Sequence, residues 1–106
     1  MVEYTVASKE GAEVVLQLRG ELAGQPWTES LRRALEEHYV DDGVKIIRLE
    51  LSPLTFLDNF GVATLVALRK ESDARGKVLL VEGARGQVHD KLRVTGLLKI
   101  LGREGA

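Results

Sequence analysis

Val2, Tyr4 and Val6 alternate with Glu3, Thr5 and Ala7 at the start of the chain. A period of two predicts a strand over 2–7 with one buried face. After a turn at Lys9-Glu10-Gly11, Val14, Leu16 and Leu18 alternate with Val15, Gln17 and Arg19. The short connection predicts an antiparallel hairpin that ends between Gly20 and Gly24. The period then changes. Trp27, Leu31, Ala34, Leu35 and His38 fall at helical spacing, with Glu29, Arg32, Arg33, Glu36 and Glu37 mostly off that stripe. This is an amphipathic helix with Pro26 suited to its first position, and Asp41-Asp42-Gly43 stops it.

Residues 44–51 predict the next strand, with Pro53 at its exit. A polar corner, Asp58-Asn59-Phe60-Gly61, leads at once into the apolar run VATLVAL and then Arg69, Lys70, Glu71 and Asp73. That pattern is a helix buried over its first half, and Arg75-Gly76 is its C-cap signal. The continuous apolar run at 78–81 predicts a central parallel strand covered on both faces. Gly83 turns the chain, Val88 and Leu92 carry a shorter helix to Gly96, and 97–101 is expected to form a last short strand. Repeated strand–helix–strand units imply parallel pairing with right-handed crossovers. The fold class is therefore α/β: one domain over 1–106, with an antiparallel hairpin followed by parallel βα units in a mixed sheet flanked by helices.

The composition narrows the function. A length of 106 residues suits a single domain, and a hydrophobic fraction of 44% suits a packed core. Fifteen basic residues against sixteen acidic ones leave a net charge of −1, so no global field draws in nucleic acid or an anionic membrane. Cysteine is absent, which excludes disulfides and thiolate metal sites. No basic region followed by an apolar run marks a signal peptide, and no apolar stretch reaches spanning length. The expectation is a cytoplasmic protein without direct membrane insertion.

The corner carries the chemistry. It lies beside a strand end, where α/β sheets place their sites, and at a helix N-terminus, where free N–H groups favour anions. Asp58 suits the N-cap, accepting from the N–H of Phe60 or Gly61. Leu57 and Val62 fit a hydrophobic staple. No Ser, Thr, Cys or His stands in the corner to act as a nucleophile.

The stretch from Ile46 to Leu68 resembles the signature of the STAS domain family, the sulfate-transporter and anti-sigma-factor-antagonist domains. The matching features are IIRLELS, then LTFLD, then Gly61 opening an apolar helix. Gly20-Glu21-Leu22, Arg75-Gly76-Lys77 and Leu92-Arg93-Val94-Thr95-Gly96-Leu97 resemble further family motifs in the right order. The resemblance implies a single STAS-type fold and a non-enzymatic, protein-binding regulatory module, with no cofactor, metal or catalytic residue. It implies a partner-binding corner at Asp58, Asn59, Phe60 and Gly61. The implied partner is an ATP-binding, serine-kinase-like anti-sigma factor. In the antagonists, a Ser after the Asp is phosphorylated by that partner, which breaks the complex. Asn59 stands at that position here. It has no hydroxyl to accept a phosphoryl group and, being neutral, more nearly mimics the unphosphorylated side chain. Phe60 fills a position usually small in the family, and Ala23 replaces a common Asp. Two readings follow: constitutive binding of the kinase partner, or a soluble accessory or scaffold subunit of a membrane transporter of the lipid-handling ABC type or of a larger signalling assembly.

The Phe60 ring either anchors an interface or folds back on the core. Thr64, a conceivable relocated phosphosite, is expected to pack and back-bond within its helix. Ser52 and Thr55 read as accessible turn residues. His38 should border the core and His89 should be solvated, without metal-ligand spacing. Arg69, Lys70, Arg75 and Lys77 read as a solvated basic helix end. Glu50 and Asp58 have no nucleophile to serve, and the pieces GARG and GREG match no phosphate loop, which argues against a nucleotide-hydrolysing domain. Trp27 reads as core. Oligomeric state is left open.

Overall fold

A computed structural model describes residues 1–101; the GREG piece lies outside them. The described residues form β1 (Val2–Glu10), β2 (Glu13–Leu22), α1 (Thr28–Tyr39), β3 (Ile46–Glu50), β4 (Leu54–Leu57), α2 (Asn59–Ala74), β5 (Val78–Glu82), α3 (Gly86–Val94) and α4 (Leu97–Leu101). The five-stranded sheet runs β1-β2-β3-β5, with β4 also on β2. β1 and β2 are antiparallel; β2 pairs β3 and β4, and β3 pairs β5, all in parallel. The expected mixed sheet with βα units is present.

The register explains the core. Val14 and Leu16 lie opposite Ile47 and Leu49, which lie opposite Leu79 and Val81. All six are buried on one face, against Leu31, Leu35, Leu65, Leu68, Val88, Leu92, Leu97 and Leu101 from the helices. The opposite face carries Val15, Arg48 and Leu80 in a row. There Arg48 bridges Glu13 at 2.6 Å and Glu82 at 3.1 Å.

Several expectations need correction. Residues 97–101 form a helix, because Leu97 and Leu101, four apart, are buried while Lys99 is exposed. A strand would have turned Lys99 inward with them. β5 is an edge strand with one helix-covered face, and Val78 at its start is 50% exposed. β1 has no fully buried face either, since the helix layer stops short of it. Helix α1 begins at Thr28, so Pro26 precedes it. The segment before the corner is a strand, β4, with Thr55 inside it rather than in a turn. The basic helix end is not a solvated cluster. Lys77 is buried and donates to the Asp41 and Val44 carbonyls, each at 2.7 Å, while Arg75 pairs with Glu36 and Glu71. The Arg75-Gly76 stop is as expected: α2 ends at Ala74, and Gly76 turns the chain with φ 72°.

Candidate functional site: the turn that opens helix α2

The corner joins β4 to α2. Asp58 is the N-cap, with extended backbone, and its Oδ1 accepts from the Gly61 N–H at 3.0 Å. Its Oδ2 accepts from the Gly24 N–H at 2.9 Å, so one carboxylate ties the β2–α1 connection to the start of α2. The Gly24 bond, ahead of those from Gly61 and Phe60, holds the Asp58 carboxyl below its ordinary value although partial desolvation opposes the shift.

A second tie lies one turn deeper. Thr64 is fully buried; its Oγ1 donates to the Phe60 carbonyl at 2.9 Å and accepts from the Trp27 N–H at 3.0 Å. Trp27, partly buried against the core, returns its indole N–H to the Ala23 carbonyl at 3.0 Å. Thr64 is therefore sealed in the fold, packed and back-bonded as expected, and its hydroxyl is spent as a structural link.

Gly61 is buried where α2 passes over β2. A Cβ there would lie 2.1 Å from the Leu22 carbonyl oxygen and 2.4 Å from Leu57 Cδ1. Only hydrogen fits, which gives the opening glycine of this helix a steric cause. Beneath the turn, the Gln87 side chain acts like one residue of an additional strand. Its Oε1 accepts from the Leu57 N–H at 2.9 Å, and its Nε2 donates to the Leu57 carbonyl at 2.7 Å. Gln87 carries no signal in the sequence, and Gly24 reads there only as the end of the hairpin; a polar residue opening a short helix and a glycine in a connection have no periodicity that ties them to the corner.

Against this fixed frame, Asn59 is exposed and Phe60 is 48% exposed. The ring is not folded away. Phe56, two residues before Asp58, is 40% exposed. These are the chain's two phenylalanines. Of the other hydroxyls near the turn, Thr55 is exposed and donates to the Gly20 carbonyl at 2.9 Å, and Ser52 is half-buried and bonded to Glu50. His38 is buried in α1 and His89 exposed in α3, far apart in the chain. Among the described residues no group of His, Asp and Glu is placed to hold a metal, and no helix is long and apolar enough to cross a membrane.

The STAS domain family model matches residues 4–104, nearly the whole chain. The chain belongs to the STAS domain family. Among curated proteins no relative matches. Among solved structures, the unphosphorylated anti-sigma factor antagonist SpoIIAA is similar at 21% identity and a TM-score of 0.71, over 90% of this chain and 82% of that one. An anti-sigma factor antagonist from Mycobacterium paratuberculosis gives 20% identity and a TM-score of 0.71, over 95% and 83%. The murine anion transporter Slc26a9 gives 16% identity and a TM-score of 0.69, over 88% of this chain but only 15% of that one. At these identities the likeness is one of fold. The STAS domain thus shares its architecture with anti-sigma factor antagonists and with one part of a far larger anion transporter.

Proposed function

We propose that this STAS domain is a non-enzymatic partner-binding module similar to anti-sigma factor antagonists, that it grips its partner through the turn opening α2, and that it binds constitutively. The observation that carries this reading is the placement of both phenylalanines in solvent, two residues either side of Asp58. Exposed rings bracketing a rigid polar turn have the make-up of an interface anchor, because aromatic residues in desolvated patches contribute most of the energy of protein contacts. Asp58 and Gly61 fix the turn; Asn59 and Phe60, with Phe56 beside them, reach outward. Constitutive binding rests on Asn59, which accepts no phosphoryl group. The partner chemistry implied by the family is an ATP-binding, serine-kinase-like anti-sigma factor acting in the cytoplasm.

The test is calorimetric titration against a purified kinase-type anti-sigma factor of the same organism, with and without ATP, followed by mass spectrometry. The expected result is binding that ATP does not abolish and a protein that gains no phosphate. Phe60→Ala should weaken binding about tenfold or more, a loss of about 1.4 kcal/mol or greater. Asn59→Ser should acquire a phosphate and release the partner. Modification of Ser52 or Thr55 with loss of the complex would end the constitutive reading. Recovery of the native protein in a membrane transporter assembly, with no affinity for such a kinase, would favour the accessory-subunit role.

A further inference from the structure

The outer edge of β1 is complementary to itself. Val2, Tyr4 and Val6 lie opposite Gly20, Leu18 and Leu16 of β2. They therefore stand on the helix-covered side of the sheet, but Tyr4 and Val6 remain 47% and 50% exposed because no helix reaches over them. The backbone polarity of this row follows from the ladder. The Glu21 N–H donates to the Met1 carbonyl at 3.1 Å, so Met1 and Glu21 form a hydrogen-bonded pair. Antiparallel pairs alternate, which makes Glu3–Arg19 and Thr5–Gln17 the next bonded pairs and turns the N–H and C=O groups of Val2, Tyr4 and Val6 away from β2. Gly20 agrees from the other side: its N–H donates to the Pro53 carbonyl at 3.4 Å and its carbonyl accepts from Thr55, both toward β4.

We propose that a second copy of this chain pairs with this edge as an antiparallel strand, on a two-fold axis through Tyr4. In that register Tyr4 faces Tyr4 and Val2 faces Val6, and each pair exchanges both of its outward backbone groups. The exposed apolar side chains join into one row across the axis. On the other side of the sheet Glu3 faces Thr5, so no like charges meet, and Glu3 keeps its ion pair with Arg19 at 3.4 Å. The neighbouring registers fail. Centring on Glu3 sets the two Glu3 carboxylates face to face at a non-hydrogen-bonded pair, and centring on Thr5 sets Val2 against Ser8, across the bulge between Val6 and Ser8. Centring on Val6 sets Val2 against Glu10 and meets the bulge between Val6 and Ser8. Centring on Val2 pairs little beyond Met1 and Glu3. β1 and β4 lie on opposite sides of β2, so the pairing leaves Asp58–Gly61 open in each copy. Paired edges also remove an exposed template for aggregation.

The chain has no cysteine, so cross-linking reads the register directly. Glu3 of one copy meets Thr5 of the other at a non-hydrogen-bonded pair, about 4.5 Å between Cα atoms, within disulfide range. Mixed Glu3→Cys and mass-labelled Thr5→Cys proteins should form the hetero-disulfide under mild oxidation faster than either variant links to itself. Sedimentation should show a dimer that grows with concentration, and Tyr4→Lys, which sets two charges face to face on an exposed strand, should shift it to monomer with an unchanged circular dichroism spectrum. A monomer at every concentration up to the millimolar range would overturn the proposal. So would a dimer that Tyr4→Lys leaves intact, or cross-linking with no preference for the mixed pair.

Discussion

At position 61 a methyl group has nowhere to go. The Leu22 carbonyl oxygen and Leu57 Cδ1 both occupy the space, and the first is backbone that cannot rotate aside. Gly61→Ala should therefore push α2 off β2 and cost at least the about 1–3 kcal/mol of ordinary overpacking, measured by the urea midpoint. Asp58 acts on the same turn through charge. Its carboxyl is held below its ordinary value, chiefly by the Gly24 N–H. A depressed carboxyl contributes stability that is whole above the unfolded value and is lost as pH falls through the folded one. The tie between the β2–α1 connection and α2 should thus persist at neutral pH and fail only below the ordinary aspartate range. Asp58→Asn should lower the urea midpoint at neutral pH and make its decline shallower as pH falls below the ordinary aspartate range, since no charge remains there to be neutralised. An acid limb identical to that of the unaltered protein would show that the carboxylate contributes nothing to the fold.

Helix α3 is coupled to strand β4 by a single side chain. Gln87 satisfies both backbone groups of Leu57, at the last residue before the N-cap. Gln87→Ala frees both groups and should cost about 1–2 kcal/mol, with faster amide exchange at Leu57. Gln87→Glu is the sharper variant. Its carboxylate still accepts from the Leu57 N–H but faces the Leu57 carbonyl without a proton to offer, so the loss should be recovered as the carboxyl protonates in acid. None of this was legible in the sequence, for a physical reason. Periodicity reports which residues share a face of one element, and it located β1, β2, α1, β3, α2, β5 and α3. It is silent on bonds between elements, such as Asp58 to Gly24, Thr64 to Trp27 and Gln87 to Leu57. It also misjudged elements too short to show a period. Leu97–Leu101 has one buried pair, which fits a helix or a strand until Lys99 is placed. LTFL reads as part of the turn before the corner, because four residues beside a proline show no clear alternation. At the corner the cap was readable from Asp58 and Gly61, whereas the outward turn of Phe60 depended on the surrounding frame.

The molecule holds α1 and α2 side by side by clamping both ends. At their N-termini the links are Asp58 to Gly24 and Thr64 to Trp27. At their C-termini Tyr39 and Ser72 share a buried hydrogen bond of 3.0 Å, Arg75 stacks 5.1 Å from the centre of the Tyr39 ring, and Lys77 donates to the Asp41 and Val44 carbonyls that follow α1. Thr64 and Ser72, the nearest members of the two clamps, lie about 12 Å apart along α2. Stability is shared across the whole molecule, but the turn's shape depends on the near clamp alone. The two ends should therefore respond differently to loss of one polar group. Ser72→Ala leaves the Tyr39 hydroxyl buried without its partner and should cost about 1–3 kcal/mol in urea unfolding while partner affinity stays within about twofold. Thr64→Val keeps the volume but removes the links to Trp27 and Phe60, so it should lower stability by a similar amount and weaken partner binding as well. Calorimetry on both variants at a temperature where each is fully folded separates the effects. If Ser72→Ala weakens binding as much as Thr64→Val, the turn is not held locally, and the far clamp sets its geometry through the length of α2.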